Sequence, residues 1–298
     1  MISTLTLEFE IFSDERINFA GFAGVALRAA LYTVFTELYD TGKTINSIKD
    51  IENNPLQWIF SPNNQSHTIP RPYIIRPPLE VKETGFVFGI TLLGPTIDFV
   101  QQIISCVVGM QSLGLGVDRK SFKIKSIAHW NLLNDERQLL VDQNGNSIHP
   151  LLIPNEGENT KLLVDKFSSN LLKIKFLTPT TIINKRQLLI KPVFRPIFQR
   201  LLERTLILNK YYGTQNVAVN FDHLLSYSDK IQLINDNTRI YGKQYSKRYS
   251  RNIIGFIGDA KYQGEFASLL PFIVGGQLMN VGKNVTKGCG WFRVEQVF

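Results

Sequence analysis

The sequence predicts an α+β protein in which one β-α-β-β-α-β unit occurs twice, the arrangement called ferredoxin-like or RRM-like. Two observations predict it. Segments that alternate apolar and polar residues, as half-buried strands do, are separated by segments whose apolar residues recur every three or four positions, as on one face of a helix. The order of these segments in residues 1–130 then recurs in residues 166–298. A chain of 298 residues is long enough for two domains that each bury a core.

The first unit begins with a strand at residues 4–12, where apolar and polar residues alternate. Apolar residues at helical spacing then predict a helix that ends near Tyr39. Residues 40–70 are rich in Asn, Pro and Ser and predict a long loop, of the kind that often carries function. The remaining predicted elements of this unit are strands at 73–81 and 86–93, a helix at 98–113 and a strand at 122–130.

The second unit follows the same order. Its predicted elements are a strand at 171–177, a helix at 194–212, a hairpin of strands at 238–246 and 252–262, a helix at 266–279 and a strand at 291–297. Residues 131–165 carry turn signals and surplus acidic residues, and they predict a connection between the units. The predicted domains are therefore residues 1–130 and 166–298, the second with a C-terminal glycine-rich loop.

Composition excludes several classes of protein. The apolar fraction of 44% and the charged fraction of 19% are those of a folded protein rather than a disordered chain. Two cysteines give no disulfide framework, so a reducing cytoplasm is the expected location. Residues 1–12 alternate between apolar and polar side chains and do not resemble a signal peptide. Polar residues interrupt the most apolar later stretch, residues 99–116, as in a packed helix rather than a membrane span.

Positive charge is concentrated in the C-terminal part of the chain, which has a net charge of +8 overall. Residues 1–130 hold 11 Lys and Arg against 12 Asp and Glu, residues 131–165 hold 2 against 6, and residues 166–298 hold 20 against 7. So large an excess of cations is typical of a domain that binds a polyanion. A merely solvated basic surface is the alternative interpretation.

A segment rich in glycine and lysine precedes the last predicted strand. Gly282-Lys283 and Lys287-Gly288-Cys289-Gly290 follow Gly275-Gly276. Glycine lets a backbone approach a ligand closely, and the two lysines can donate to phosphate. The spacing is neither the GxxxxGK[ST] of a phosphate-binding loop nor a dinucleotide fingerprint, so no nucleotide cofactor is expected. A turn that only joins helix to strand is the alternative.

A second basic segment, residues 243–251, lies at the tip of the predicted hairpin. Its members are Lys243, Lys247, Arg248 and Arg251, interleaved with Tyr245 and Tyr249. Cations neutralise phosphates while aromatic rings stack on unpaired bases, so the segment predicts contact with RNA. A solvated charged hairpin is the alternative.

Motifs along nearly the whole chain resemble those of one family. In the N-terminal half they are Phe22 to Leu31 (FAGVALRAAL), Pro70 to Tyr73 with Arg76 to Pro78, Gly94, and Gly114 to Gly116. In the C-terminal half they are Leu177 to Thr180, Arg248 to Arg251, Gly255 to Gly258 and Val281 to Gly290. In combination they resemble the CRISPR precursor-processing endoribonucleases of the RAMP superfamily. One position departs: many relatives carry a histidine where this chain has Asn280.

The resemblance implies two ferredoxin-like domains, binding of CRISPR repeat RNA and crRNA, and metal-independent cleavage that leaves a 2′,3′-cyclic phosphate. Subunits of a CRISPR effector complex are further expected partners, and no membrane or small-molecule cofactor is expected. The residues predicted to contact RNA are Arg28, Lys243, Lys247, Arg248, Tyr249, Arg251, Gly282, Lys283, Lys287, Gly288 and Gly290.

The histidines are candidates for the proton transfers that such a cleavage needs, because imidazole titrates near neutral pH. His67 lies in the long loop of the first unit and is the leading candidate. His223 follows an acidic residue and is a second candidate. His129 closes a strand and His149 lies in the acidic connection, so both have structural explanations.

Tyr32 and Lys43, in and after the first helix, are further catalytic candidates that could orient or protonate the RNA. Tyr32 equally suits a core position, and Lys43 equally suits solvent. No Ser-His-Asp, Cys-His or metal-ligand spacing is visible, so no metal is expected. The sequence therefore predicts a repeat-specific endoribonuclease that cuts CRISPR precursor RNA into guide RNA.

The sequence leaves two functions open besides that of a nuclease. A non-cleaving RAMP subunit that binds guide RNA and scaffolds a complex is the main one, because of Asn280 and the scarcity of histidines. A general RNA-binding module is disfavoured because the aromatic signature of RRM domains is absent.

Overall fold

The structure is a computed structural model that describes residues 2–39, 59, 69–147, 164, 167, 170–214, 219–242 and 253–296. The chain divides into two compact bodies. The first body comprises residues 2–154 and 211–214, and the second body comprises residues 155–210 and 215–298. Each body has its own hydrophobic core.

The first body folds a sheet and two helices in the predicted order. Its elements are β1 (Thr4–Phe12), α1 (Ala23–Tyr39), β2 (Tyr73–Arg76), β3 (Val81–Lys82), β4 (Gly85–Leu93), a 3-10 helix (Gly94–Phe99), α2 (Val100–Leu113), β5 (Lys123–Asn131) and β6 (Glu136–Val141). The strands pair antiparallel in the order β2-β4-β1-β5-β6, and β3 pairs with β4.

From Leu7 to Phe12 burial alternates along β1 because successive side chains of a strand point to opposite faces of the sheet. Leu5, Leu7 and Phe9 are inaccessible to solvent and form the centre of the first core. Glu8 and Glu10, which lie between and after them, form ion pairs on the other face of the sheet. The apolar side chains that recur at every second residue, as predicted, are thus the ones that pack this strand against the core.

The second body repeats the order with two additions. Its elements are β7 (Leu171–Thr180), β8 (Ile183–Asn184), β9 (Gln187–Leu188), α3 (Phe194–Tyr212), α4 (Phe221–Asp229), β10 (Gln232–Tyr241), β11 (Gly255–Gln263), α5 (Leu270–Met279), a 3-10 helix (Val285–Lys287) and β12 (Phe292–Glu295). The sheet order is β10-β11-β7-β12, and β8 and β9 form a separate hairpin.

The helix α3 separates the second core from the candidate site. On one face it buries Phe194, Phe198 and Leu201, and the rings of Phe194 and Phe198 stack with centroids 5.8 Å apart. Arg200 and Arg204 lie on a shared face because residues four apart are neighbours on a helix surface. The amphipathic pattern therefore fixes which way these two cations point.

The tandem ferredoxin-like fold predicted from the sequence is confirmed. The elements that the prediction lacks are β6, the β8–β9 hairpin and α4. β6 lies within residues 131–165, which were predicted as a connection, and pairs with β5, so the first body extends past residue 130. β2 ends at Arg76 rather than at residue 81, because Pro77 and Pro78 lack the N–H group that a sheet ladder needs.

His129 makes the stability of the first body depend on pH. It lies on β5 opposite Leu7, is 8% exposed, and burial lowers the pKa of its imidazole. The unfolded chain takes up a proton near pH 6.5 and the folded chain does so only at lower pH, so the unfolded state binds more protons. The free energy of unfolding should therefore fall as pH drops below about 6.5.

Urea unfolding of wild type and of His129→Leu between pH 7.5 and 5 measures this contribution. The difference between wild type and variant should change with pH over this range. An identical pH dependence in His129→Leu and wild type would contradict the assignment to His129.

Within the described ranges, every helix is too short or too polar to span a lipid bilayer. The same part of the chain contains no cluster of three or more His, Cys, Asp or Glu side chains that could hold a metal ion. Cys106 and Cys289 are buried thiols, and burial raises the pKa of each to about 12. Neither thiol is therefore a ready nucleophile.

Candidate nucleic-acid interface

The candidate site of the second body centres on residues 280–291, here called the glycine-rich loop. Three hydrogen bonds fasten it to the end of β7: Gly290 N–H donates to Pro179 O (3.0 Å), Lys283 N–H donates to Thr181 O (3.0 Å), and Thr178 Oγ1 donates to Gly288 O (2.7 Å). Because both ends and the middle are held, the loop has a defined shape on the second body.

The backbone conformation and close packing of this loop require glycine at two positions. Gly290 has φ of +72°, and a Cβ there would lie 1.8 Å from Val281 O. Gly282 has φ of +90°, and a Cβ there would lie 2.4 Å from Thr181 O. The backbone that approaches these glycines closely is therefore the protein's own, and direct contact of Gly282, Gly288 and Gly290 with RNA stays a prediction.

Asn280 closes the loop. It is fully buried with φ of +58°, and its Nδ2 donates to Cys289 O (2.9 Å). Val281 N–H also donates to Gly290 O (3.0 Å), so two bonds join the two ends of the loop. This position, where many members of the resembling family carry a histidine, has a structural role here.

An open cleft of about 520 Å³ lies between the glycine-rich loop and α3. Its walls combine apolar side chains with cations and one carboxylate. The lining residues are Thr181, Ile182, Ile183, Arg200, Glu203, Arg204, Ile207, Gly282 and Lys283. A volume of this size falls within the usual range of small-ligand pockets, about 300–1,000 Å³.

Hydrogen bonds fix the two arginines of the cleft. Arg200 Nη1 donates to Glu203 Oε2 (2.6 Å), and its Nη2 donates to Ile183 O (3.0 Å). Arg204 Nε donates to Met279 O (2.7 Å) at the end of α5, where helix carbonyls attract cations. Lys283, by contrast, is exposed and makes no ion pair within the described residues. The cleft therefore carries two oriented guanidinium groups and one exposed ammonium group.

The β8–β9 hairpin adds two cations that the sequence patterns did not single out. Its two-residue turn is Lys185-Arg186, with φ of +46° and +66°. Positive φ at both positions is the requirement of a type I′ turn, which Asn-Gly satisfies best. For residues with a Cβ it costs about 1–2 kcal/mol each. Both side chains are exposed, next to Ile183 of the cleft.

In the first body, two arginines and two tyrosines meet where α1 faces β2. Arg28 and Tyr32 are four residues apart on α1 and so share a face. Arg28 Nε donates to Tyr73 Oη (3.1 Å). Burial lowers the pKa of Arg71; of the nearby groups, Tyr73 raises it, Arg28 lowers it and Tyr32 raises it. This group is called the Arg–Tyr cluster below.

Two family models match the chain in succession. A model described as an N-terminal domain matches residues 2–152. The model of CRISPR-associated endoribonuclease Cas6 matches residues 174–292, which include the cleft and the glycine-rich loop. The C-terminal part of the chain, residues 174–292, therefore belongs to the Cas6 family.

Solved Cas6 structures share the fold over the full length of the chain. Thermus thermophilus Cas6 (TTHB231) is 14% identical with a TM-score of 0.57, and the match covers 99% of each chain. A Cas6 (TTHA0078) product complex is 14% identical with a TM-score of 0.58, covering 99% of this chain and 100% of that one. A partial Cas6-RT-Cas1–Cas2 complex is 11% identical with a TM-score of 0.61, covering 100% of this chain and 47% of that one. No curated protein sequence matches significantly.

The catalytic candidates predicted from the sequence fall in different places. Tyr32 belongs to the Arg–Tyr cluster and is half-buried against the first core. His223 is exposed in the first turn of α4 in the second body, with its ring edge-on to Tyr227 at 4.9 Å. His67 and Lys43 lie outside the described residues.

The predicted RNA-binding residues divide in the same way. Arg28 belongs to the Arg–Tyr cluster, Lys283 lines the cleft, and Lys287 Nζ donates to Asn284 Oδ1 (3.2 Å) within the loop. The basic segment, with Lys243, Lys247, Arg248, Tyr249 and Arg251, lies outside the described residues. The structure thus adds Arg71, Tyr73, Arg200 and the Lys185-Arg186 turn to the candidates.

Proposed function

We propose that the protein is a repeat-specific, metal-independent endoribonuclease that cuts CRISPR precursor RNA by attack of a ribose 2′-OH. The observation that carries the chemistry is the Arg–Tyr cluster, which brings two guanidinium groups and two phenol groups together on one body. The match of residues 174–292 to the Cas6 endoribonuclease family supports RNA as the substrate.

The reaction needs three contributions from the protein. The attacking 2′-oxygen gives its proton to a base, the leaving 5′-oxygen receives a proton from an acid, and cations stabilise the extra negative charge on the phosphorus oxygens. The products are a 2′,3′-cyclic phosphate and a 5′-OH, so protons and charge balance without a metal.

The cluster supplies the cations and one proton carrier. The guanidinium groups of Arg28 and Arg71 can hold the phosphate oxygens of the transition state. Arg28 is oriented by its bond to Tyr73. Tyr32, which shares a helix face with Arg28, is proposed as the acid. His67 is proposed as the base. Lys43 and His223 remain further candidates from the sequence.

RNA is proposed to bind mainly through the second body. Residues 166–298 hold 20 Lys and Arg against 7 Asp and Glu. Phosphate contacts supply most of the affinity of proteins for nucleic acids, and the glycine-rich loop, the cleft and the basic segment provide such contacts. CRISPR effector subunits are proposed as further partners, and the likeness to a chain of a Cas6-RT-Cas1–Cas2 complex supports CRISPR proteins as a class.

A subunit that binds guide RNA without cutting it is the second candidate. Asn280 favours the non-cleaving subunit, because many relatives have a histidine at this position. The bond from Asn280 to Cys289 O, however, explains the asparagine by its structural role in the loop. Incubation of the purified protein with repeat RNA in EDTA separates the two candidates. We expect cutting at one position, at the same rate as in Mg²⁺, with a 2′,3′-cyclic phosphate on the upstream product.

Two results would speak against the proposal. Tight binding without cutting in either condition would assign the protein to the non-cleaving class. Cutting that depends on Mg²⁺ would keep the nuclease but contradict the metal-independent chemistry. A repeat RNA of scrambled sequence serves as the specificity control in both conditions.

A further inference from the structure

The cleft beside the glycine-rich loop has features that phosphate binding alone does not require. Its floor is apolar: Ile182 is fully buried, and Ile183 and Ile207 are half-buried beside it. A site for phosphate alone needs only donors and cations, whereas ligand pockets with apolar walls and a few oriented polar groups accept a flat organic group. The inference below rests on RNA being the substrate.

Arg200 offers a stacking surface inside this cleft. Its guanidinium is held at both ends, by Glu203 Oε2 and by Ile183 O, so its plane is fixed while its side chain remains 43% exposed. Unpaired RNA bases stack on guanidinium planes as well as on aromatic rings. Glu203 is itself held by Gln199 and Arg200, and its carboxylate can accept from an exocyclic amino group of a base.

Cations lie on two sides of the cleft. Lys283 lies on one wall, and the Lys185-Arg186 turn follows Ile183 of the other. Neither Lys185 nor Arg186 makes an ion pair within the described residues. The turn therefore keeps two long cationic side chains on a backbone conformation that suits Asn-Gly better, and such strained positions concentrate at functional sites.

We propose that this cleft holds one unpaired nucleotide of the bound RNA. The base lies against Arg200 and the isoleucines, with Glu203 at its edge. The adjoining phosphates contact Lys283 and the Lys185-Arg186 turn. The cleft thereby recognises a single-stranded position of the repeat. This recognition is a separate task from the proton transfers proposed for the Arg–Tyr cluster.

An abasic scan of the repeat RNA tests the base-binding part. Removal of one base at a time should reveal one position whose loss weakens binding about 5- to 150-fold, the usual value of one stacked base. In Ile207→Trp, which fills the cleft, the same position should no longer matter. Ile234→Trp, on the exposed face of β10, is the control and should keep the sensitive position.

The turn is tested by Lys185→Asn combined with Arg186→Gly. This pair removes both cations and also relieves the backbone, so the Tm should rise by roughly 2–8 °C. The RNA affinity should fall, and the slope of log affinity against log salt should become shallower by about 1.4, the share of two phosphate contacts. Arg119→Gly is the matched control: it also relieves an exposed cation with positive φ, in the first body, and should leave affinity unchanged.

The outcomes separate this inference from the proposed nuclease. A flat abasic scan with normal cutting would overturn the nucleotide site and leave the nuclease standing. A sensitive position that Ile207→Trp does not silence would also overturn it, with Glu203→Gln as the milder variant if the tryptophan prevents folding. Binding of free AMP, CMP, GMP or UMP that Ile207→Trp abolishes, with a flat scan, would assign the cleft to a free nucleotide. Absence of any RNA binding would overturn both proposals.

Discussion

Replacement of Tyr32 by phenylalanine is expected to slow RNA cleavage about 10²- to 10⁴-fold, the usual effect of removing one proton-transfer group. The substitution deletes only the hydroxyl, and the ring keeps its packing against the first core. RNA affinity should change little, because Arg28, Arg71 and the cations of the second body are untouched. Single-turnover rates at saturating protein are the measurement, so that weaker binding cannot imitate slower chemistry.

Tyr39→Phe is the matched control for this variant. Tyr39 lies on the same helix and packs on Phe35 with ring centroids 5.9 Å apart, and the loss of its hydroxyl should leave the rate within a few-fold of wild type. A similar result for Tyr32→Phe would show that Tyr32 serves only the core. His67→Ala would then be the decisive variant, with an expected loss of at least about 100-fold.

Gly290→Ala should destabilise the second body and abolish its tight binding of RNA. The new Cβ would lie 1.8 Å from Val281 O on a backbone with φ of +72°, so the bond that closes the loop could not form. The conformational cost and the forced displacement together should lower the free energy of unfolding by about 2–5 kcal/mol. Urea unfolding and an RNA titration measure the two effects.

Gly145→Ala provides the comparison for Gly290→Ala. Gly145 has φ of +80°, nearly the same conformation, but no atom lies within 4 Å of the Cβ position. Its replacement should cost only the conformational part, about 1–2 kcal/mol. Equal destabilisation by the two variants would mean that the loop accommodates the new methyl group with little loss of stability. The steric explanation for glycine at position 290 would then be wrong.

The elements with strong periodicity could be predicted from the sequence. The nine-residue strand at the N-terminus and α3 (Phe194–Tyr212) have the predicted bounds, because each buries one regular face. β6 could not be recognised, since five of its six residues are exposed or half-buried at the edge of the sheet. The β8–β9 hairpin escaped prediction because Lys-Arg carries none of the usual signals of a tight turn.

The candidate sites were harder to predict than the fold. Lys283 was predicted to contact phosphate because its spacing from neighbouring glycines is local in sequence, and the structure places it at the cleft. The Arg–Tyr cluster depends on a contact between residues 28 and 73, and such distant pairs leave no trace in periodicity. The glycines were predicted to let a ligand approach; in the structure Gly282 and Gly290 lie close to the backbone oxygens of Thr181 and Val281. A glycine pattern shows that something approaches closely, but not what.

The central claim is that the ribose 2′-OH is the nucleophile, and one substrate tests it most directly. A repeat RNA with a single 2′-deoxy nucleotide on the 5′ side of the scissile phosphate lacks only that hydroxyl. The account predicts that cutting at this site is abolished while the Kd stays nearly that of the all-ribose RNA, since the phosphate contacts are retained. Cutting of the deoxy substrate at the normal rate would contradict it.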